Sequence, residues 1–126
     1  MKMHNYRNSK TAEAVAAYWG KSLKDKNWYA MNEDGDTAEI RIYDVIGWPW
    51  IDADSFINEL NRITASTITV AINSPGGDVF DGTAIYNALK NHSANIITRI
   101  DGIAASMASI IALAGNEIKI ANNAYY

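Results

Sequence analysis

The chain contains no cysteine among its 126 residues. This absence excludes a disulfide framework, a thiol nucleophile and a thiolate metal site. No apolar run approaches the ~18 residues that a membrane-spanning helix needs. The N-terminal sequence MKMHNYRNSK also lacks the apolar core of a secretory signal. We therefore expect a soluble, cytoplasmic protein that does not bind membranes.

Positive charge and histidine are also scarce. The formal net charge is −3, so the chain has no basic footprint for nucleic acid. Six of its eleven basic residues lie before residue 27, which leaves the remainder distinctly acidic. The only histidines are His4 and His92. With 48% hydrophobic residues, a chain of this length is expected to form one core.

The local patterns alternate between strands and helices. Short apolar or alternating runs predict β-strands, and apolar residues at helical spacing after an aspartate predict helices. The predicted strands are Ala38–Val45, Ile68–Asn73, Ile96–Ile100 and Glu117–Ala121; the predicted helices run from Asp52 or Asp54 to about Ile63 and from Asp81 to Asn91.

Two strand-to-helix turns organise the chain. The first, Ser74–Asp78, contains Pro75 and two glycines, and the second, Ile103–Ser109, contains a serine among alanines. In a parallel sheet, both turns emerge at the carboxyl edge of the strands, where α/β proteins place their sites. A serine nucleophile from one turn is therefore expected to meet backbone donors from the other.

The two motifs resemble the ClpP serine peptidase family. They are Asn73-Ser74-Pro75-Gly76-Gly77 and, near thirty residues later, the stretch Gly102–Ser109. The sequence SPGGDVFDG…AIYNALK is similar to sequences from the phage branch of that family, the prohead maturation proteases. The likeness covers roughly Ala38–Tyr126. It implies an α/β ClpP/crotonase-like fold with repeated ββα units, preceded by an extension over residues 1–37.

The resemblance assigns chemistry to three residues. Ser106 is the expected nucleophile, and the backbone amides of Gly77 and Met107 are the expected oxyanion donors. Without the resemblance, Ser106 alone is typical of a helix N-cap, and the glycines alone are typical of a plain turn. We expect Asp78 and Asp81 to have structural roles at a helix start. Likewise, Ser74 is interpreted as a turn residue and Ser109 as a buried helical hydroxyl.

The general base is missing from this pattern. His4 lies in the polar N-terminus, and His92 follows a helix end that we expect on the surface opposite the site. The resemblance places the catalytic histidine a few residues beyond Tyr126, and the third member of the triad much further on. We therefore expect a chain truncated at its C-terminus that is inactive alone.

The function implied by the resemblance is that of a serine endopeptidase. Its substrates in the phage branch are capsid, portal or scaffold proteins, it works without ATP as a single chain, and it assembles into homo-oligomeric rings. No metal or nucleotide cofactor is implied. The alternatives are a crotonase-type acyl-CoA enzyme, which shares the fold, and a non-catalytic capsid-assembly or interaction domain.

Two aromatic regions have more than one interpretation. A predicted helix over Thr11–Lys24 has one aromatic face. Either this face packs on the core or on a neighbouring subunit, or the segment is a pro-segment or a capsid-targeting arm. The stretch Asn32–Asp36 after it is predicted to be a turn-forming linker. Trp48 and Trp50 either line a substrate groove or a subunit contact, or simply pack in the core.

Overall fold

A five-stranded sheet forms the centre of the protein. The computed structural model describes residues 32–34 and 36–126, so the predicted helix Thr11–Lys24 lies outside the described residues. The strands follow one another across the sheet in chain order, and β1 is antiparallel to β2 whereas the other neighbours are parallel. The strands are β1 Asn32–Asp34, β2 Thr37–Ile42, β3 Thr67–Ser74, β4 Asn95–Ala104 and β5 Glu117–Ile120.

Three helices connect the parallel strands. They are α1 Ala53–Arg62, α2 Val79–Asn91 and α3 Met107–Ala112. Both longer helices begin at an aspartate, because the Asp52 and Asp78 side chains accept hydrogen bonds from backbone N–H groups one turn later, at 3.1 and 2.8 Å. Such caps satisfy donors that the first helical turn leaves unpaired. The α/β architecture with ββα units agrees with the predicted fold class. No helix among the described residues is long and apolar enough to cross a membrane.

The core lies between the helices and one face of the sheet. Alternate residues of β2 and β3 are buried, as the period of two in a half-covered strand requires. From α1, Phe56 and Leu60 are fully buried, and Ile63 is nearly so. Ile57, predicted on the same face, is only partly buried against this core. Together these side chains hold the carboxyl ends of the parallel strands in fixed positions.

Several predicted boundaries differ in the structure. β2 ends at Ile42, three residues before the predicted Val45, and α2 begins at Val79 rather than at Asp81. The first three residues of the linker Asn32–Asp36 form β1 and pair with β2. The strand predicted to end at Ile100 continues to Ala104, through Asp101 and Gly102. It continues because Ala104 pairs with Ser74 of β3 beyond a β-bulge, and its N–H donates to the carbonyl oxygen of Tyr125 at 3.0 Å. A glycine within a strand is compatible with such a bulged, closely packed edge.

Candidate active site

The glycine turn and the serine turn are in direct contact. β3 and β4 are parallel neighbours, so the turns that follow them leave the same edge of the sheet. The N–H of Ala105 donates to the carbonyl oxygen of Ser74 at 3.2 Å. A Cβ built on Gly76 would lie 2.8 Å from the Cβ of Ser106. Only glycine fits here, and the predicted meeting of the two turns is confirmed.

Ser106 has an unusual backbone conformation. Its φ is 53° and its ψ is −126°, which makes it the one non-glycine residue with positive φ in the range 36–126. It immediately precedes α3 and is exposed, and its side chain makes no capping hydrogen bond. Positive φ in a non-glycine residue costs about 1–3 kcal/mol and persists only where surrounding contacts enforce it. In this enforced conformation the hydroxyl of Ser106 is exposed at the edge of the sheet.

The expected oxyanion donors belong to the two turns in contact: Met107 directly follows Ser106, and Gly77 directly follows Gly76, which packs against Ser106. Ile46 bonds to the glycine turn on either side of Gly77: its N–H donates to the carbonyl oxygen of Gly76, and its carbonyl accepts from Asp78, both at 2.9 Å. This parallel bridge leaves the Gly77 N–H unused. The Met107 N–H is the first of α3, and no hydrogen bond within residues 36–126 uses either amide. Two free donors therefore flank the Ser106 turn.

The two neighbouring serines differ from their predictions in position or burial. Ser74, interpreted as a turn residue, is the last residue of β3 and is fully buried. Its hydroxyl donates to the carbonyl oxygen of Asp44 at 2.7 Å and accepts from the Gly76 N–H at 3.1 Å. Ser109, interpreted as buried, is partly exposed, and its hydroxyl donates to the carbonyl oxygen of Ser106 at 2.6 Å. Both hydroxyls therefore support the two turns.

A charged network links β2 and the residues after it to β4, across β3. Arg99 donates to Asp101 at 2.7 Å and to Glu39 at 2.8 Å. Tyr43 donates to the same Asp101 carboxylate. The hydrogen bond from Arg99 is the main cause that lowers the pKa of Asp101, and burial followed by the bond to Asp101 raises the pKa of Tyr43. The segment after β2 is thereby held against β4.

No histidine of the described residues reaches Ser106. His92 lies at the far end of α2, where its Nδ1 accepts from the Ala94 N–H at 3.0 Å. Since α2 has 13 residues, at ~1.5 Å per residue His92 is roughly 20 Å along the helix from the glycine turn. His4 lies outside the described residues. The site therefore contains a serine and two amide donors, and no histidine base within residues 36–126.

An apolar cleft adjoins the glycine turn. It has a volume of about 290 Å³, and Gly77 forms part of its wall. Trp48 and Trp50 lie on the loop after β2, and both line it. Trp50 is also buried, so the structure is compatible with the groove interpretation and with core packing. The other lining residues are Val45, Ile46, Gly47 and Asp78.

The sequence profile of the Clp protease family matches residues 50–124, which is more than half of the chain. The chain belongs to the Clp protease family. An ATP-dependent Clp protease proteolytic subunit from Bacteroides thetaiotaomicron is 44% identical over 52 residues, which cover 41% of this chain and 24% of that protein. One from Ligilactobacillus salivarius is 48% identical over 52 residues, covering 41% and 26%. The matched segments thus span about a quarter of these relatives' length.

Several solved structures share this fold at low sequence identity. Pseudomonas aeruginosa DspI matches with a TM-score of 0.57 and 22% identity, over 82% of this chain and 53% of that one. An enoyl-CoA hydratase from Shewanella pealeana matches with a TM-score of 0.55 and 11% identity, over 90% and 52%. At such identities the likeness shows a common crotonase-like fold, in agreement with the predicted fold class.

Proposed function

We propose that the chain supplies the nucleophile and the oxyanion hole of a serine endopeptidase. The observation that carries the proposal is an exposed serine at positive φ, Ser106, between two amides without partners in residues 36–126. The names of the relatives, all proteolytic subunits of Clp proteases, support peptide hydrolysis as the reaction. Gly77 and Met107 act through their backbone N–H groups alone.

The reaction proceeds in two halves. The Ser106 hydroxyl transfers its proton to a base as its oxygen bonds to the peptide carbonyl carbon, and the carbonyl oxygen becomes an oxyanion held by Gly77 and Met107. The C–N bond then breaks, the base returns its proton to the leaving amine, and an ester to Ser106 remains. Water hydrolyses this ester by the same steps. Each amide donor lowers the activation free energy by about 2.7–4 kcal/mol.

The base comes from outside residues 36–126. Family resemblance assigns this role to a histidine that follows the strand after the serine helix, and that strand corresponds to β5. A base in this position approaches the same edge of the sheet as the two turns, since β5 is parallel to β4.

The isolated chain of 126 residues is expected to show no peptidase turnover, because no histidine of its described part reaches Ser106. The complete gene product is expected to cleave peptides and to react with a fluorophosphonate probe. Both are measured on purified proteins by a fluorogenic peptide assay and by intact-mass spectrometry. Robust cleavage by the isolated chain, lost in Ser106→Ala, would contradict the assignment of the base. A complete gene product that neither cleaves nor reacts would favour a non-catalytic binding domain.

Within the family, we propose the phage prohead branch, with capsid, portal or scaffold proteins as substrates and no need for ATP. The support is the sequence SPGGDVFDG…AIYNALK, which lies in β3 and α2. Incubating the complete gene product with such structural proteins, without an ATP-dependent unfoldase, tests this finer assignment. An acyl-CoA enzyme, which the fold neighbours also permit, would instead bind acyl-CoA thioesters at the two amides.

Assembly into a homo-oligomer is part of the same proposal. Several large apolar side chains are exposed, including Ile118 and Ile120 of β5 at 44% and 51%. Ile110 and Leu113 of the α3 region are exposed to a similar degree. Apolar patches beyond a few hundred Å² usually mark association sites. The chain is therefore expected to self-associate, and a stable monomer in light scattering at high micromolar concentration would count against this.

A further inference from the structure

Ser74 is the residue at which the two turns of the proposed site meet the loop after β2. Its hydroxyl donates to the carbonyl oxygen of Asp44 on that loop at 2.7 Å, and accepts from the Gly76 N–H of the glycine turn at 3.1 Å. Its own carbonyl oxygen accepts from the N–H of Ala105, the residue before Ser106, at 3.2 Å. Ser74 is fully buried, where a hydrogen bond is electrostatically stronger than in water.

The glycine turn needs such a hold because its backbone is unusually free to rotate. Gly76 and Gly77 have φ values of 101° and 151°, and neither has a Cβ that would limit rotation of the peptide between them. That peptide is trans, so the Gly76 carbonyl and the Gly77 N–H point in opposite directions. The Gly76 carbonyl accepts from the Ile46 N–H at 2.9 Å. The Gly77 N–H is therefore turned away from Ile46.

Gly76 is fixed at both ends, and one of the two hydrogen bonds comes from a side chain. Its carbonyl is held by a backbone N–H, which every residue type except proline would provide at position 46. Its N–H is held by the Ser74 hydroxyl. Alanine at position 74 would remove this partner from the buried Gly76 N–H, and a buried donor without a partner is costly. The turn would then rotate toward water, and the Gly77 N–H would rotate with it.

We propose that Ser74 is a positioning residue of the oxyanion hole: its hydroxyl holds Gly76 in the orientation that directs the Gly77 N–H to the substrate carbonyl. The inference rests on the proposed function, because it needs a substrate carbonyl at Ser106 and Gly77. It adds a side chain to a set of donors that otherwise consists of backbone amides. Because Ser74 is fully buried, its effect on the reaction passes through Gly77 and not through contact with the substrate.

The 126-residue chain without any substitution gives the first test. Gly76–Gly77 is its only Gly–Gly pair, and Pro75–Gly76 is its only Pro–Gly pair. Glycine labelled with ¹⁵N and with ¹³C at its carbonyl therefore selects the Gly77 amide in an HNCO spectrum. Carbonyl-¹³C proline combined with ¹⁵N-glycine selects the Gly76 amide in the same way.

Hydrogen exchange is then measured at these two amides. We expect exchange at Gly76 to be at least about tenfold slower than at Gly77, because the Gly76 amide is buried and bonded whereas Gly77 is exposed. Equal exchange rates would overturn the proposal, and this outcome is accessible even if variants of Ser74 do not fold.

Ser74→Ala and the matched control Thr98→Val give the second test. Each removes a fully buried hydroxyl that donates to a backbone carbonyl at 2.7 Å. The Thr98 hydroxyl donates to Ala112 at the end of α3, not to the loop after β2. In the 126-residue chain, Ser74→Ala is expected to speed exchange at Gly76 about tenfold or more, and Thr98→Val is expected to change it less than about threefold.

The effect on the reaction is measured in the complete gene product with a fluorogenic peptide. Ser74→Ala is expected to lower kcat about 10–100-fold while KM changes less than about threefold, because an oxyanion donor acts on the transition state more than on the bound substrate. Thr98→Val is expected to keep kcat within about threefold. Circular dichroism of both variants under the assay conditions checks that they are folded.

The outcomes separate the positioning role from the proposed function. An unchanged kcat in Ser74→Ala, or an equal loss of kcat in Thr98→Val, would overturn the positioning role even if the native protein cleaves peptides. A native gene product that does not react with a fluorophosphonate would overturn the peptidase. Slow exchange at Gly76 that depends on the Ser74 hydroxyl would in that case still support the hold of Ser74 on the glycine turn.

Discussion

Ser106→Gly is expected to abolish fluorophosphonate labelling of the complete gene product and to raise its free energy of unfolding by about 1 kcal/mol. Labelling requires the hydroxyl, since a base-activated serine in an oxyanion hole is the group that reacts quickly. Stability rises because φ is 53° at this position, a conformation that glycine adopts without the steric cost of a Cβ. The measurements are intact-mass labelling kinetics and urea unfolding.

The opposite signs of the two effects distinguish a nucleophile from a helix cap. Ser106→Ala is also expected to lose labelling, with a change in unfolding free energy within about 0.5 kcal/mol, because the native side chain makes no capping bond. Ser109→Ala, one helical turn further on, is the matched control and should keep labelling. Labelling that persists in Ser106→Ala, or that maps to Ser74 or Ser109, would show that the nucleophile is another residue.

Gly77→Ala is expected to reduce the labelling rate of Ser106 about 10²–10³-fold and to destabilise the complete gene product by about 2 kcal/mol or more. A methyl group on Gly77 would overlap the carbonyl oxygen of Ile46, and that oxygen is fixed by its bond from Asp78. The native φ of 151° is also one that alanine rarely adopts. The turn must therefore shift, and the Gly77 amide shifts with it, so an oxyanion donor is lost.

Gly102→Ala is the control for this prediction. It also adds a methyl group at the same edge of the sheet, but this group would meet the end of the exposed Asn73 side chain, whose movement costs its one hydrogen bond from the Ile103 N–H. A smaller loss of stability and a modest loss of labelling are expected for it. If both glycine variants label at the rate of the native protein, the Gly77 amide does not act as an oxyanion donor. Labelling rates and urea unfolding of the two variants, compared side by side, decide the point.

The parts of the fold that depend on local pattern were predictable from the sequence. The β-rich run Ile68–Asn73 and the candidate cap Asp52 predicted the correct elements, because burial and unpaired N–H groups act within a few residues. The second helix was predicted from Asp81, and its cap is Asp78. The meeting of the two turns also followed, since parallel strands end at one edge. The extension of β4 could not be predicted, because its last residues pair with Ser74 and Tyr125, distant in sequence.

The residues of the proposed site come from the family motifs and not from local pattern. The motifs named Ser106, Gly77 and Met107; the structure brings the two turns that carry them into contact, and their catalytic roles stay predictions. The positive φ of Ser106 has no local sequence signal, since its neighbours Ala105 and Met107 favour ordinary negative φ values, and the residue lies against Gly76 of the other turn. The burial of Ser74 and the apolar cleft beside Gly77 depend on where the loop after β2 folds. That position is set by the hydrogen bonds of Ile46 to residues thirty or more positions away.

The order of the strands has a consequence for synthesis on the ribosome. Because the strands lie side by side in the order in which they are translated, each new parallel strand adds to the edge of a sheet that already exists. The glycine turn is in place when β4 arrives, and Ser106 meets it as soon as α3 has emerged. No later segment has to insert between them. The nascent chain therefore brings the glycine turn and Ser106 together before β5 is translated.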